Sequence, residues 1–351
     1  MASAMKILIF LLLFLSGLST CLKGDGVKFV EKLTIGSEER AEETFIKIID
    51  AISDPAGNIF IVDSGDNSIK KFSREGMFLK KMARTGQGPG ELSTPLGADL
   101  DKNGSLYVND YDNRRINVYT NDLDYVDTIP LKSSLVVEDL YITLDGNLLI
   151  LSSPHRTGQK YFNLFSREGD MIRSFFEEFH PFAPPLEGFR PQDRTFPYLL
   201  GKANMSLDKK KLAFSHNFPE NPYKIFFLDL KGNILDVIPK KIKGYSPQKQ
   251  KESLTRLQRD EKDYVYTTIT GLHFSPEGYL IVERTDVVYQ DGTLDRTMRR
   301  LDVFSPDGRL VREDVQIEGD IMSIDHENRV YVRIEPEDGL PKLTVYSLEI
   351  N

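Results

Sequence analysis

The sequence predicts an all-β fold in which one repeated unit builds a ring of six sheets. Three observations support this prediction: a turn–strand–loop–strand–turn pattern recurs, its copies are spaced at the length of a four-stranded sheet, and the two ends of the chain supply complementary strands. The 21 Phe, 15 Tyr, 25 Gly and 18 Pro residues suit many short strands joined by turns. We therefore expect a six-bladed β-propeller with four-stranded blades.

The repeat is clearest in three segments. SDPAGNIFIVDSGDNSIKKFSREG begins at Ser53, LDKNGSLYVNDYDNRRINVYTND at Leu100, and a longer copy, SPEGYLIVERTDVVYQDGTLDRTMRRLDVFSPDG, at Ser275. Weaker copies begin at Thr143, Ser206 and Asp325. The first turns of the six copies lie 47, 42, 64, 68 and 50 residues apart, at Gly57, Gly104, Gly146, Lys210, Gly278 and Asn328. A propeller blade takes about 40 to 45 residues, so the two long intervals predict one blade plus an insertion each.

The two ends of the chain complete each other. The last copy supplies strands around residues 321–324, 330–334 and 343–348, which is one strand short of a blade. VKFVEKLTIG, residues 27–36, is strand-like and has no repeat of its own. Pairing it with the last copy completes the sixth blade and removes two open sheet edges. We therefore expect the N-terminal strand to close the ring.

The first segment of the chain, residues 1–21, is predicted to be an export signal. ILIFLLLFLSGL, residues 7–18, is an uncharged run that is too short to span a bilayer and typical of a signal-peptide core. Two interpretations of its end stay open: ordinary cleavage after Ser19, or lipidation of Cys21, because LSTC resembles a bacterial lipobox. Either predicts an exported protein, periplasmic, extracellular or at the cell surface, and the second adds a lipid anchor.

The remaining chain, residues 22–351, is predicted to be one propeller with three insertions, at 177–200, 240–268 and 284–299. Because consecutive strands of a blade reverse direction, the turns after the first and third strands share one face and the other connections share the opposite face. The first face, here the tight-turn face, carries short turns such as SDPAG and SREG. All insertions fall on the second, the elaborated face. Long loops in a compact domain usually carry function, and a passive cap over the funnel is the alternative.

The charge balance excludes one class of partner. The formal net charge is −8 and the pI about 5.4, which argues against a nucleic-acid footprint. We expect no nucleic-acid partner, no cofactor, and a monomer whose contact with a membrane would run only through a lipid on Cys21.

A glycine-rich segment does not fit a phosphate-binding loop. TGQGPGEL, residues 85–92, lacks the G-x-G-x-x-G spacing of a dinucleotide fingerprint, and Pro89 removes a backbone donor. The residues after it indicate turn and strand, whereas a phosphate loop is followed by a helix. We expect this segment to carry the chain from the outer strand of the first blade to the inner strand of the second.

One unit carries a family resemblance. Residues 86–123, GQGPGELSTPLGADLDKNGSLYVNDYDNRRINVYTNDL, contain a Gly-rich opening, a D-x-x-G-x-[IL]-[YF]-V hairpin and an N-R-[RI]-I-x-V-[YF] strand. With these motifs the chain resembles NHL-repeat-type six-bladed β-propellers, and above all secreted bacterial propellers of unassigned function. The resemblance covers about residues 27–351 and implies a fold without implying an activity.

An enzymatic alternative rests on three carboxylates. Propellers of the gluconolactonase type hold a cation in the funnel with acidic and amide side chains, and Asp63, Asp110 and Glu283 are the candidates here. Each is expected to end the second strand of its blade on the elaborated face, where it could instead cap a loop backbone. The five histidines show no zinc-site spacing, and G-x-S-x-G is absent. The alternative function is thus a lactonase or lyase-type enzyme that uses a divalent cation.

Recognition is the function that the sequence favours. Arg, Tyr and His side chains combine contact area with directed hydrogen bonds, and Arg and Tyr dominate binding hot spots. The candidate ligand-binding residues on the elaborated face are Arg84, Arg114, His155, Arg156, Arg190, Tyr198, His216 and Arg284. We therefore expect an exported binding module that recognises a peptide, protein or glycan on that face.

Overall fold

The chain forms a ring of six antiparallel sheets, each with four strands, as the repeat predicts. The computed structural model describes residues 26–131, 135–152, 160–176, 202–215, 224–239, 264–290 and 293–350. Strand β1 (Val27–Ile35) comes first, and a short 3-10 turn, Ala41–Glu43, precedes the first blade. Within these ranges no helix is long and apolar enough to cross a bilayer.

Five blades are built from consecutive strands, innermost first. Blade 1 contains β2 (Ile48–Ser53), β3 (Ile59–Asp63), β4 (Ser68–Phe72) and β5 (Phe78–Ala83). Blade 2 contains β6 (Pro95–Leu100), β7 (Leu106–Asp110), β8 (Arg115–Tyr119) and β9 (Tyr125–Pro130). Blade 3 contains β10 (Asp139–Ile142), β11 (Leu148–Leu151), β12 (Phe162–Phe165) and β13 (Met171–Phe175). Blade 4 contains β14 (Lys202–Met205), β15 (Lys211–Ser215), β16 (Lys224–Asp229) and β17 (Ile234–Pro239). Blade 5 contains β18 (Tyr264–Phe274), β19 (Leu280–Gln290), β20 (Thr293–Phe304) and β21 (Leu310–Val315).

Blade 6 joins the two ends of the chain, as predicted. It contains β22 (Asp320–Ile324), β23 (Arg329–Ile334) and β24 (Lys342–Ile350), with β1 as its outermost strand. The β1–β24 register runs from Val27↔Ile350 to Ile35↔Leu343, with one bulge between Glu31 and Leu33. Pairing with β1 covers the edge of β24 that would otherwise be open, which is the physical reason for the closure.

The core lies between the blades. Six hydrophobic clusters of buried residues each fill the wedge between two neighbouring blades. The second strands are covered on both sides, and every residue of β3 and β7 is buried. This is why those strands are nearly continuous apolar runs in the sequence.

The glycine-rich segment crosses from blade 1 to blade 2 as expected. The Gly86 N–H donates to the Leu92 carbonyl, and the Arg115 guanidinium donates to the carbonyls of Gln87 and Gly88. Gly86 has a φ of 157°, and a Cβ there would lie 2.1 Å from the Glu91 carboxylate. The segment therefore folds around its own side chains and those of blade 2.

Two predictions about the insertions on the elaborated face are wrong: the form of one and the end of another. Residues 284–299 were expected to form a loop, but they continue β19 and β20 as a long hairpin paired from Leu280↔Phe304 to Gln290↔Thr293. The run is rich in β-branched residues, and Asp-Gly at 291–292 is a two-residue hairpin signal. The insertion predicted at 240–268 ends earlier, because β18 begins at Tyr264. Residues 177–200 and 240–263 lie outside the described part of the chain.

Candidate binding channel

The six innermost strands, β2, β6, β10, β14, β18 and β22, enclose a channel along the axis of the ring. Its cavity volume is about 520 Å³. Each inner strand begins at the elaborated face and ends at the tight-turn face, so the channel connects the two. The ionisable side chains along it include Asp50, Asp99, Asp139, Tyr141, Lys202 and His273.

Polar side chains of the inner strands join each blade to the next. An inner strand has one edge without a ladder partner, and its backbone groups need other hydrogen bonds. Three side-chain oxygens accept a backbone N–H of the next blade: Asp50 Oδ2 from Ala98 at 3.0 Å, Asp99 Oδ2 from Ile142 at 2.6 Å, and Asn204 Oδ1 from Phe274 at 3.3 Å. Two hydroxyl groups donate to a backbone carbonyl of the next blade: Tyr141 to Ala203 at 2.8 Å, and Ser323 to Ala51 at 2.5 Å. These bonds cover every blade junction except that between blades 5 and 6.

Two carboxylates in the channel are hard to ionise. Burial raises the pKa of Asp50 to about 7, helped by the charges of Asp139 and Asp99 and opposed by the N–H groups of Ala98 and Ala51. Burial also raises the pKa of Asp139, although the charges of Lys202 and His273 act in the opposite direction. The middle of the channel therefore favours a ligand that brings positive charge or hydrogen-bond donors.

The junction between blades 5 and 6 holds two polar side chains with unmet hydrogen-bonding capacity. His273 is the penultimate residue of β18, the position that Tyr141 and Asn204 occupy in their own strands. Neither ring nitrogen of His273 has a hydrogen-bond partner in the described part of the protein, and Oε1 of Glu283 has none either. His273 is 6% exposed and Glu283 is 2% exposed.

Gly271 allows these two groups to approach each other. His273 Nε2 lies 3.8 Å from Glu283 Oε2. A Cβ at Gly271 would stand 2.6 Å from that nitrogen and 2.8 Å from that oxygen, so any side chain there would displace them. Glu283 faces Gly271 across the β18–β19 ladder. It does not end its strand as expected, because β19 continues to Gln290.

Asp63 caps the loop that enters blade 1. Its carboxylate accepts the N–H groups of Ile46 at 2.9 Å and Lys47 at 2.8 Å, and a third from Gly65 at 3.1 Å. Lys70 Nζ lies 3.0 Å from Oδ2, and both side chains are fully buried. Both oxygens are thus occupied by the protein itself.

Asp110 has the corresponding role in blade 2. Oδ1 accepts the Ser93 N–H at 2.6 Å, while Oδ2 accepts Arg115 Nε at 2.7 Å and Asn113 Nδ2 at 2.8 Å. Among the described residues, no group of three or more His, Cys, Asp or Glu side chains is arranged to hold a metal ion.

Arg284 braces the base of the long hairpin. Its Nη1 lies 2.5 Å from Asp286, its Nε lies 3.2 Å from Asp302, and its Nη2 bonds to Asp314. Burial disfavours the charged guanidinium, but these carboxylates outweigh burial and raise the pKa of Arg284. The sequence suggested Arg284 as a ligand-binding residue. In the structure it is 6% exposed, and its guanidinium group is already paired with carboxylates of its own blade.

The other candidates divide into two groups. Arg84 and Arg114 are exposed on neighbouring connections of the elaborated face. Outside the described residues lie His155, Arg156, Arg190, Tyr198, His216 and Cys21. Sequence reasoning did not select Asp139, Lys202 or His273. The signal that could have found them is a charged or titratable residue inside a short inner strand, as in EDLYI, KANM and GLHF.

Comparisons with known proteins agree with this architecture. A family model described as a 6-bladed beta-propeller, DUF5128, matches residues 39–182. A DUF4221 family member from Bacteroides vulgatus is similar at 10% identity and a TM-score of 0.62, over 94% of this chain and 99% of that one. The chain shares the fold of these six-bladed propellers. Comparison with curated proteins gives no match.

Two further solved propellers are similar in fold. A Bacteroides fragilis protein described as exported has 12% identity and a TM-score of 0.60, over 93% of this chain and 95% of that chain. A gluconolactonase from Xanthomonas campestris has 13% identity and a TM-score of 0.50, over 95% and 93%. At these identities the likeness concerns the fold alone.

Proposed function

We propose that this protein is an exported binding module that receives a segment of a peptide, protein or glycan in its central channel from the elaborated face. The observation that carries the proposal is the pair Asp50 and Asp139, which line a cavity of about 520 Å³ with raised pKa values and no salt-bridge partner among the described residues. A concave site with convergent polar groups and perturbed pKa values is the usual form of a binding site.

The direction of approach follows from what lies at each end of the channel. At the tight-turn end, the Lys209 ammonium bonds to the carbonyls of Leu100 and Ile142, the last residues of two inner strands. At the elaborated end, the long connections after β13 and β17 lead directly into β14 and β18, and the β19–β20 hairpin extends past the other blades. Extra chain at that end supports entry there.

Binding is favoured over metal-dependent hydrolysis by the use of the candidate carboxylates. The oxygens of Asp63 and Asp110 accept backbone N–H groups and pair with Lys70 and Arg115. A cation would have to displace buried hydrogen bonds that hold the loops of blades 1 and 2, at a cost of about 1 to 3 kcal/mol for each group left unpaired.

Export is proposed from the first segment of the chain. The apolar run at 7–18 and the cysteine at position 21 have the pattern of a bacterial export signal. The B. fragilis protein of similar fold is described as exported, which supports the same location. Mass spectrometry of the mature N-terminus tests the anchor: a diacylated Cys21 establishes it, and a chain beginning at Thr20 rules it out.

The binding function is tested with a peptide-display library and a glycan array probed with the mature protein. A trimmed variant, in which Asn-Gly joins Val287 directly to Thr297, removes the tip of the hairpin at a paired position. Ligands selected by the wild-type protein should lose affinity for the trimmed variant. They should keep it for Lys231→Ala, a surface change on the tight-turn face. If divalent cations instead produce lactone hydrolysis that depends on Asp63 or Asp110, the proposal is overturned.

A further inference from the structure

The junction between blades 5 and 6 departs from a pattern that four of the other five junctions follow. Penultimate residues of the inner strands, such as Tyr141, Asn204 and Ser323, each bond to the backbone of the next blade. His273 stands at the same position of β18 but has no such bond to a described residue. A buried polar group without a partner destabilises the fold, and a ligand that supplies the partner would account for its retention.

Glu283 stands at a second position that other blades use in the same way. It lies five residues after Gly278, just as Asn109 follows Gly104 and Arg333 follows Asn328. Asn109 donates to the Val137 carbonyl at 3.4 Å, and Arg333 donates to the Ile48 carbonyl at 2.8 Å, each on the next blade. Glu283 carries a carboxylate at this position and cannot donate to a carbonyl when ionised.

The space beside these groups belongs to the channel. Gly271 and His273 line the cavity, and the absent side chain of Gly271 leaves open space beside His273 Nε2 and Glu283 Oε2. Asp139 lines the same cavity as Gly271 and His273. This part of the channel therefore offers three acceptors: an imidazole nitrogen of His273, the neighbouring carboxylate of Glu283, and the carboxylate of Asp139.

We propose that Gly271, His273 and Glu283, together with Asp139, form a subsite for a primary ammonium group, such as the side chain of a lysine in a bound peptide. The subsite deepens the proposed function and rests on it. An ammonium group has three donors and no acceptor, and it matches two carboxylates and the unprotonated nitrogen of a neutral imidazole. Ion pairing in a partly desolvated channel also offsets the cost of burying Glu283.

Lys202 gives the subsite a neighbouring positive charge without filling it. The charge of Lys202 opposes the rise that burial causes in the pKa of Asp139, but no salt bridge joins the two side chains among the described contacts. Asp50 lies in the same channel and adds to its acidic character. Six acidic residues line the cavity against three lysines, which favours a cationic ligand over an anionic one.

The test uses Nα-acetyl-lysine methylamide as the probe, with titration calorimetry or chemical shifts on the mature protein. The wild-type protein should bind this probe and should bind its Nε-acetylated form at least tenfold more weakly. Glu283→Gln should weaken binding of the lysine probe at least tenfold while leaving the melting temperature unchanged or raised, because the carboxylate has an oxygen without a partner. Gly271→Ala should also reduce binding, because its Cβ displaces both groups.

Glu277→Gln is the matched control, since Glu277 lies on the tight-turn face of the same blade. It should not change binding of the probe. Equal binding of the acetylated probe, unchanged affinity in Glu283→Gln, or binding only with an added divalent cation would each overturn the subsite. If array ligands bind and their affinity depends on Asp139 but not on Glu283, the subsite is wrong and the proposed function stands. If nothing binds in the channel, the proposed function fails as well.

Discussion

Lys209 of blade 4 reaches past blade 3 to Asp99 of blade 2, with its Nζ atom 2.8 Å from Oδ2. The same ammonium donates to the carbonyls of Leu100 and Ile142 at 2.8 and 2.7 Å. Lys209 has a φ of 54°, a conformation that glycine adopts at the equivalent turn of blade 1. The side chain therefore ties three blades together at the tight-turn end of the channel.

Replacing Lys209 should weaken the ring. Lys209→Met leaves the Asp99 carboxylate and two carbonyls with fewer partners, so the free energy of unfolding should fall by about 1 to 3 kcal/mol. Urea denaturation measures this. Lys210→Met is the control, because the Lys210 side chain is 74% exposed. Equal stabilities for the two variants would show that the contact adds nothing.

Removing the closing strand should destabilise the whole propeller. A protein that begins at Gly36 lacks β1, which leaves the β24 edge unpaired and uncovers the cluster around Val27 and Phe29. Differential scanning calorimetry should show a melting temperature more than about 10 °C below that of the mature chain, or no cooperative transition at all. Melting at the temperature of the mature chain would contradict the role of β1.

Asp50 should make stability depend on pH. Its pKa is raised in the folded protein, so its contribution is fully present below about pH 4 and is lost as the pH rises through about 7. The unfolding free energy of the wild type, measured relative to that of Asp50→Asn, should therefore fall as the pH rises over this range. The slope should be at most about 1.4 kcal/mol per pH unit. Urea melts at pH 4, 5.5, 7 and 8.5 test it, and a difference that does not vary with pH counts against the assignment.

The hairpin of blade 5 should depend on Arg284. Arg284→Met leaves the buried carboxylates of Asp286 and Asp302 without this partner, and breaking such a pair costs about 3 to 5 kcal/mol. Arg309→Met should cost less than about 0.5 kcal/mol, because the Arg309 side chain is 82% exposed. Hydrogen exchange of β19 and β20 gives the local readout. Unchanged protection in Arg284→Met would mean that the network does not hold the hairpin.

The fold was predictable because its signals are local. The spacing of the turns gave the six blades, and the unpaired run at 27–36 gave the closing strand. The hairpin was missed because an insertion was equated with a loop, although Asp-Gly at 291–292 lies between two β-rich runs. The position of Asp63 at the end of a strand was also predictable, because it directly follows the apolar run at 59–62.

The channel was not predictable in the same way. Its residues come from six separate strands, and only the closed ring brings Asp50, Asp139 and His273 towards one axis. The use of Asp63 by the Ile46 and Lys47 N–H groups, and of Arg284 by three carboxylates, likewise depends on loops and strands that meet only after folding. Without that geometry, an exposed binding arginine and a buried structural one look alike.

The most direct test of the channel as the binding site is the dissociation constant of one array-selected ligand for the wild-type protein and for Asp139→Asn. The substitution replaces a carboxyl group of the channel, which can ionise to pair with a cationic ligand, by an amide of the same size, which cannot. The account predicts at least a tenfold loss of affinity, with Lys231→Ala unchanged. Equal affinity in Asp139→Asn, or a loss confined to Lys231→Ala, would place recognition outside the channel and contradict it.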